Sequence, residues 1–123
     1  MDSILTSIKK LLGIEADYEH YDDEIIIHIN DVFSDLTDIG VGPSEGFLIK
    51  DTTSVWSDFL PEGTPTVFEK VKRYIYLKVK LIFDPPSGSA VLESINKQIA
   101  ETEFRLHINA EFYKAKEENQ NGD

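Results

Sequence analysis

The chain has 123 residues, 41% of them apolar and none of them cysteine, which suits one compact domain in a reducing compartment and excludes disulfides and thiolate metal sites. Its formal charge of −11 lies wholly in residues 1–63, where fourteen acids face three lysines, while residues 64–123 carry nine acids and nine bases. Such an acidic surface repels nucleic-acid phosphates, so independent binding to DNA is not expected.

Two amphipathic helices are predicted at the start of the chain. Ser3 can cap the first helix, whose apolar residues share one face, and a glycine follows it. The second helix runs from Asp22 or Asp23 to Ile39, with apolar residues at helical spacing along one side. The expected core positions of the two helices are Ile4, Leu5, Ile8, Leu11 and Leu12, then Ile25, Ile29, Val32, Phe33, Leu36 and Ile39.

A long connection rich in Gly, Pro and turn residues follows at residues 40–63, GVGPSEGFLIKDTTSVWSDFLPEG. Within it, GFLIK predicts a short strand or β arm, and SVWSDFL predicts a short helix. Trp56 and Phe59 are expected to pin the connection to the core, as large aromatic residues usually do. Because its Gly and Pro content favours no core of its own, we expect poor order in the isolated chain.

A third helix begins after Thr64, has Pro65 in its first turn and runs to about Phe83. It is apolar nearly all round, which predicts burial on more than one side, and another subunit could supply the second burying surface. Its expected core face is Val67, Phe68, Val71, Ile75, Val79 and Ile82. The narrow polar strip that remains consists of Lys70, Arg73 and Lys80.

The stretch DPPSGSAVLESI, residues 84–95, predicts a sharp elbow between two helices. Pro85 and Pro86 end the third helix near Asp84, and Ser87 or Ser89 can cap a last helix. One apolar face of the last helix packs back on the third helix and completes a hairpin. That face consists of Val91, Leu92, Ile95, Ile99 and Leu106. A second apolar stripe, which points away from the hairpin, consists of Phe104, Ile108 and Phe112.

Candidate catalytic groups are few. His20, Glu24 and His28 have the spacing of metal ligands on one helical face, but a helix that begins at Asp22 would leave His20 outside it. Solvent-exposed polar residues are therefore the preferred interpretation. Four acids also share one face of the second helix and could be considered as a Mg²⁺ site. This face is interpreted as solvated, because clustered carboxylates on one helix do not easily surround an ion. It consists of Glu24, Asp31, Asp35 and Asp38. Neither an enzyme nor a cofactor is expected.

Residues 71–111, VKRYIYLKVKLIFDPPSGSAVLESINKQIAETEFRLHINAE, resemble the C-terminal hairpin of the small head–tail connector proteins of long-tailed bacteriophages. The opening ILTSIKKLLGI, followed by an acidic helix, resembles the start of the same proteins, whereas residues 40–63 match nothing closely. The likeness implies an all-α bundle of four to five helices, with a single connector domain over residues 1–111. A flexible acidic tail is expected over residues 112–123.

The resemblance further implies a structural virion protein without enzymatic activity. Such adaptors form a ring of about a dozen copies beneath the portal, next to a stopper or tail-completion protein, and DNA passes through without specific binding. Assembly would take place in the host cytoplasm, without a membrane, and the isolated chain could be a monomer. Candidate portal or subunit contacts are Phe104, Ile108, Phe112, Lys70, Arg73 and Lys80. Candidates for an acidic channel or a neighbour-facing surface are Glu24, Asp31, Asp35 and Asp38.

Two other classes of function remain open from the sequence. The charge of residues 1–63 suits an acidic DNA mimic or another intracellular protein-binding module, although a mimic needs ordered carboxylates at phosphate-like spacing. A small metal-dependent hydrolase would use His20, Glu24 and His28. Metal analysis of the purified protein distinguishes this last class from the others.

Overall fold

The computed structural model describes residues 3–121, with side chains over residues 3–110. This part of the chain forms an all-α bundle without a sheet, which confirms the predicted fold class. Its five helices are α1 (Ile4–Leu11), α2 (Asp22–Asp38), α3 (Trp56–Phe59), α4 (Pro65–Phe83) and α5 (Ser89–Asn121). Across residues 3–121, no helix combines the length and the apolar content that crossing a bilayer requires.

Local signals place the helix ends close to where the sequence predicts them. The hydroxyl of Ser3 accepts the amide hydrogen of Thr6 at 2.9 Å and so caps α1. Thr64 caps α4 in the same way, with Pro65 at the first helical position. The elbow separates α4 from α5 as expected. Neither predicted serine caps α5, because the helix starts at Ser89 and its first hydrogen bond runs from the amide of Leu92 to the carbonyl of Gly88.

The core lies between α1, α2 and α4. It buries five of the six residues predicted for the apolar face of α2, and the sixth, Ile39, is partly buried beside them. Helix α1 adds Ile4, Leu5 and Ile8, and α4 adds Val71, Ile75 and Val79. Two predicted core residues, Leu11 and Ile82, are instead 43% and 62% exposed, while the residues that follow them, Leu12 and Phe83, pack against the core.

Helix α4 is buried on two sides, as predicted, and both burying surfaces belong to the same chain. Its second side carries Tyr74, which is fully buried and donates a hydrogen bond to Glu103 of α5 at 2.9 Å. Helix α5 contributes Ile95 and Leu106, both buried, to the hairpin. The burial of α4 therefore needs no second subunit.

Residues 40–63 contribute buried side chains to the core. Val41, Ile49, Trp56 and Phe59 are buried, which confirms the anchoring expected of the two aromatic residues. GFLIK alternates as a strand would, with Ile49 inside and Leu48 68% exposed, yet the described residues form no strand. The predicted β arm is therefore wrong.

A side chain takes the place of the missing partner strand. Asn30 of α2 accepts the amide hydrogen of Ile49 at 2.8 Å and donates to its carbonyl at 3.0 Å, so one amide group satisfies both backbone groups. The connection also reaches α1, where Ser54 O accepts the amide hydrogen of Ile4 at 2.9 Å. These contacts tie residues 40–63 to α1 and α2, and the poor order expected of this segment in the isolated chain stays a prediction.

Helix α5 continues beyond the predicted domain boundary. Its backbone is helical through Asn121, so the helix includes most of the segment expected to form a flexible tail. The mobility of residues 112–123 stays a prediction. Near the elbow, Val91 and Leu92 lie in the first turn of α5 and are 53% and 39% exposed, although both were expected to pack on α4.

Candidate interaction surfaces

The apolar stripe predicted on α5 is exposed in the single chain. Phe104 and Ile108 are 66% and 47% exposed, whereas Leu106 on the opposite side of the helix is buried. The third predicted member, Phe112, has its side chain outside the described residues. Residues 94–110 carry two acids and two bases, of which Lys97, Glu101 and Arg105 are spaced four residues apart. The stripe therefore lies on a surface without excess charge.

The polar strip predicted on α4 is only partly available to a partner. Arg73 is exposed, whereas Lys70 and Lys80 are half-buried. The ammonium group of Lys80 lies 3.5 Å from the carboxylate of Asp84 in the same chain. Lys80 is therefore engaged within its own chain and is a weaker candidate for a contact with another subunit.

The four acids predicted to share a face of α2 do so, but not all of them face solvent. Glu24, Asp31 and Asp38 are exposed. Asp35 is half-buried, and its carboxylate accepts a hydrogen bond from Lys78 of α4 at 2.6 Å. Asp35 therefore stabilises the packing of α2 on α4 and is a weaker candidate for a channel or a neighbouring subunit.

Asp35 belongs to a polar network that sequence patterns did not predict. Lys78 joins Asp35 to Tyr74, whose hydroxyl accepts from it at 3.4 Å and donates to Glu103 of α5. The ammonium group of Lys78 also lies 5.2 Å from the centre of the Tyr74 ring. Burial, and secondarily the hydrogen bond to Glu103, raise the pKa of Tyr74 above its usual value. The interruption of an apolar run by Lys78 was the one signal in the sequence.

A second unpredicted contact organises the turn between α1 and α2. Lys9 is buried, and its ammonium group donates to the carbonyls of Ala16 at 3.1 Å and Tyr18 at 2.7 Å. It also pairs with the carboxylate of Asp22 at 2.8 Å. These bonds satisfy the buried charge and fix the connection against the first turn of α2.

The candidate metal ligands do not form a site within residues 3–110. His20 precedes α2, as the sequence suggested, while Nε2 of His28 lies 3.6 Å from a carboxylate oxygen of Glu24. No group of three His, Asp or Glu side chains in this part of the chain is arranged to hold an ion. His107 lies with Nδ1 3.2 Å from the carbonyl of Ile39 and connects α5 to the end of α2.

Comparison with known proteins identifies a family for this architecture. No curated protein and no solved structure matches the chain. The family model described as phage connector protein matches residues 4–112, from the first residue of α1 through the predicted stripe of α5. The match also includes residues 40–63, to which the sequence resemblance did not extend closely. The chain therefore belongs to the phage connector protein family, whose members are virion components that join heads to tails.

Proposed function

We propose that the chain is the adaptor that forms a ring beneath the portal and extends the DNA channel toward the tail. Its partners are then the portal, a stopper or tail-completion protein, and further copies of itself. The observation that carries this proposal is the exposed stripe of Phe104 and Ile108 on a family member whose core is already complete. A subunit that folds alone and still exposes large apolar side chains on one helix suits assembly on a template.

The stripe suits contact with the portal or with a neighbouring copy for a second reason. Helix α5 has 33 residues, which corresponds to about 50 Å. Its exposed side around Phe104 carries no excess charge, so a highly acidic chain can approach another copy there without strong repulsion. Apolar residues at the centre of an interface supply most of its binding energy.

The exposed acids of α2 suit a channel through which DNA moves. Glu24, Asp31 and Asp38 would repel phosphates and so disfavour adhesion of the passing DNA. The same acids can instead face Lys70 and Arg73 of the next subunit. Surface pairs of this kind contribute about 0.2–1 kcal/mol each, so they would guide the register of the ring more than hold it together.

Heads assembled without this chain provide the test. We expect the purified protein to co-sediment with DNA-filled, portal-containing heads and to allow tails to attach to them. Ile108→Asp should abolish this binding while the melting temperature of the isolated chain is unchanged. Leu48→Asp is the matched control, because Leu48 is also exposed but lies in the loop of residues 40–63.

The possible outcomes test the adaptor function and the docking role of the α5 stripe separately. A wild-type chain that does not bind heads contradicts the adaptor function, and binding to a host DNA-binding protein instead would favour the DNA mimic. If Ile108→Asp binds heads as the wild type does, the stripe is not the docking surface. For the charge pairing, changing Lys70 and Arg73 to Glu should slow assembly at low salt, and Asp31→Lys with Asp38→Lys should partly restore it.

A further inference from the structure

A second group of exposed apolar side chains lies where α4 turns into α5. Ile82, in the last turn of α4, is 62% exposed, and Val91 and Leu92 follow it in the first turn of α5. These three residues lie on either side of the Pro-Pro elbow, at the tip of the hairpin, and we call them the apolar patch. The patch is not part of the core.

The connection between α1 and α2 brings exposed aromatic residues against the end of α4. The ring of Tyr21 packs edge-on against Phe83 of α4, with centroids 5.2 Å apart, and Tyr18 lies 5.9 Å from Tyr21. Both tyrosines remain exposed, at 38% and 49%. Because the buried Lys9 holds the connection in place, this surface is formed before any partner arrives. We call residues 9–23 and 80–93 together the elbow end.

The elbow end is strongly acidic, in contrast to the stripe of α5. It carries seven acids and three bases, a net charge of −4, whereas residues 94–110 are balanced. Two of the three bases, Lys9 and Lys80, are already paired with acids of the same region. The other exposed acids of the elbow end are Glu15, Asp17, Glu19, Asp23 and Glu93.

An open hollow of about 500 Å³ lies at the same end, lined by Gly13, Ile14, Glu15, Asp17 and Tyr18. Its lining combines an aromatic ring and an aliphatic side chain with two carboxylates. A lysine or arginine side chain fits that combination, because its stem packs on Tyr18 and Ile14 while its charged group reaches the acids.

We infer that the elbow end is a docking surface for a protein other than this chain, with an apolar centre and a rim of Lys or Arg. A second copy is disfavoured as the occupant, because the whole chain carries a net charge of −11 and two copies meeting face to face through this surface would bring two charges of −4 together. Nucleic acids and anionic lipids are disfavoured by the same charge. The inference rests on the proposed place between head and tail, where the stripe of α5 serves the ring and the elbow end serves a different neighbour.

The first test separates binding by the elbow end from binding by the stripe. Val91→Asp combined with Leu92→Asp should weaken sedimentation of the chain with purified heads, or with purified tails, by at least about tenfold. Association among copies of the chain should not change. Leu48→Asp is again the control, and circular dichroism checks that each variant is folded. Tyr18→Ser, at the hollow, is a second variant that does not alter the hairpin.

The second test addresses the basic rim of the partner. Glu15→Gln with Asp17→Asn should reduce binding several-fold at low salt, with the difference disappearing near 1 M salt, where charges are screened within about 3 Å. If this variant binds as tightly as the wild type at low salt, or more tightly, the partner has no basic rim that contacts these acids. If the Val91 and Leu92 variant loses self-association instead, the occupant is a second copy and the inference is wrong.

Failure of the inference differs from failure of the proposed function. If the wild-type chain does not bind heads, the adaptor function is wrong. The wild type can instead bind while the Val91→Asp, Leu92→Asp variant binds heads and tails as tightly as the wild type does. In that case the adaptor function stands and the elbow end is not a docking surface.

Discussion

The loop of residues 40–63 and helix α5 contrast in how regular they are and in how much of them is buried. The loop has mixed composition and little regular structure, yet Val41, Ile49, Trp56 and Phe59 are buried in the core. Helix α5 is a continuous helix of 33 residues, yet over residues 89–110 it buries only Ile95 and Leu106. Regular structure and contribution to the core are therefore separate properties in this chain.

The contrast has a physical origin in how backbone groups are satisfied. A helix satisfies its own backbone and can lie on the surface with one face in contact, as α5 does. An irregular segment has to find its partners elsewhere, and residues 40–63 find them in Asn30 and in the backbone of Ile4. The loop therefore depends on the rest of the fold, while α5 has a face left for other molecules.

The largest expected effect tests the burial of the loop. Phe59→Ala should lower the free energy of unfolding by about 3–5 kcal/mol, because the ring packs among Phe33, Phe47 and Gly42 and its removal leaves a cavity. Chemical denaturation measures this loss. Leu48→Ala, in the same loop but 68% exposed, should change the free energy by less than about 0.5 kcal/mol. Equal effects of the two changes would contradict the packing of the loop.

The second prediction concerns the side chain that replaces a strand. Asn30→Ala should destabilise the chain by about 1–3 kcal/mol, because both backbone groups of Ile49 lose their partner while the residue stays buried. Amide hydrogen exchange at Ile49 should accelerate before exchange in α2 does. Exchange at Ile49 that is already fast in the wild type would instead support the poor order expected for residues 40–63 in the isolated chain.

The third prediction examines how α5 is held on α4. Tyr74→Phe removes the hydrogen bond to Glu103 and should cost roughly 0.5–1.5 kcal/mol at neutral pH. Because the pKa of Tyr74 is raised in the folded chain, the unfolded chain loses this proton first, and wild-type stability should fall as the pH rises above about 10. The variant lacks that contribution, so the difference between the two proteins should shrink at alkaline pH. If the difference in free energy of unfolding between the wild type and Tyr74→Phe stays constant across pH 8–11, the titration of Tyr74 does not contribute to stability.

The smallest expected effect concerns the exposed face of α5. Phe104→Ser should change the free energy of unfolding by less than about 0.5 kcal/mol, because the side chain is 66% exposed. Leu106→Ala, two residues further along and buried, should cost about 2–5 kcal/mol. A large loss for Phe104→Ser would mean that the stripe is covered within the chain and is not a docking surface.

The sequence by itself determined the helices and their ends. Ser3, Thr64, Pro65 and the Pro-Pro elbow act within a few residues of their own positions, so the bounds of α1, α4 and the hairpin follow from local rules. The apolar face of α2 also follows, since its spacing is that of one side of a helix. The resemblance to phage connectors rested on these same local features, and the family match confirms it.

The tertiary structure alone decided which surfaces remain exposed and which charges are used inside the chain. Lys9 and Asp22 lie thirteen positions apart, Asp35 and Lys78 forty-three, and Asn30 reaches Ile49 across nineteen, so no local rule predicts these bonds. Ile82, Val91 and Leu92 are likewise exposed, although helical spacing assigned all three to buried faces. Helix propensity and capping are encoded within a turn of the chain, whereas burial and pairing depend on segments that only folding brings together.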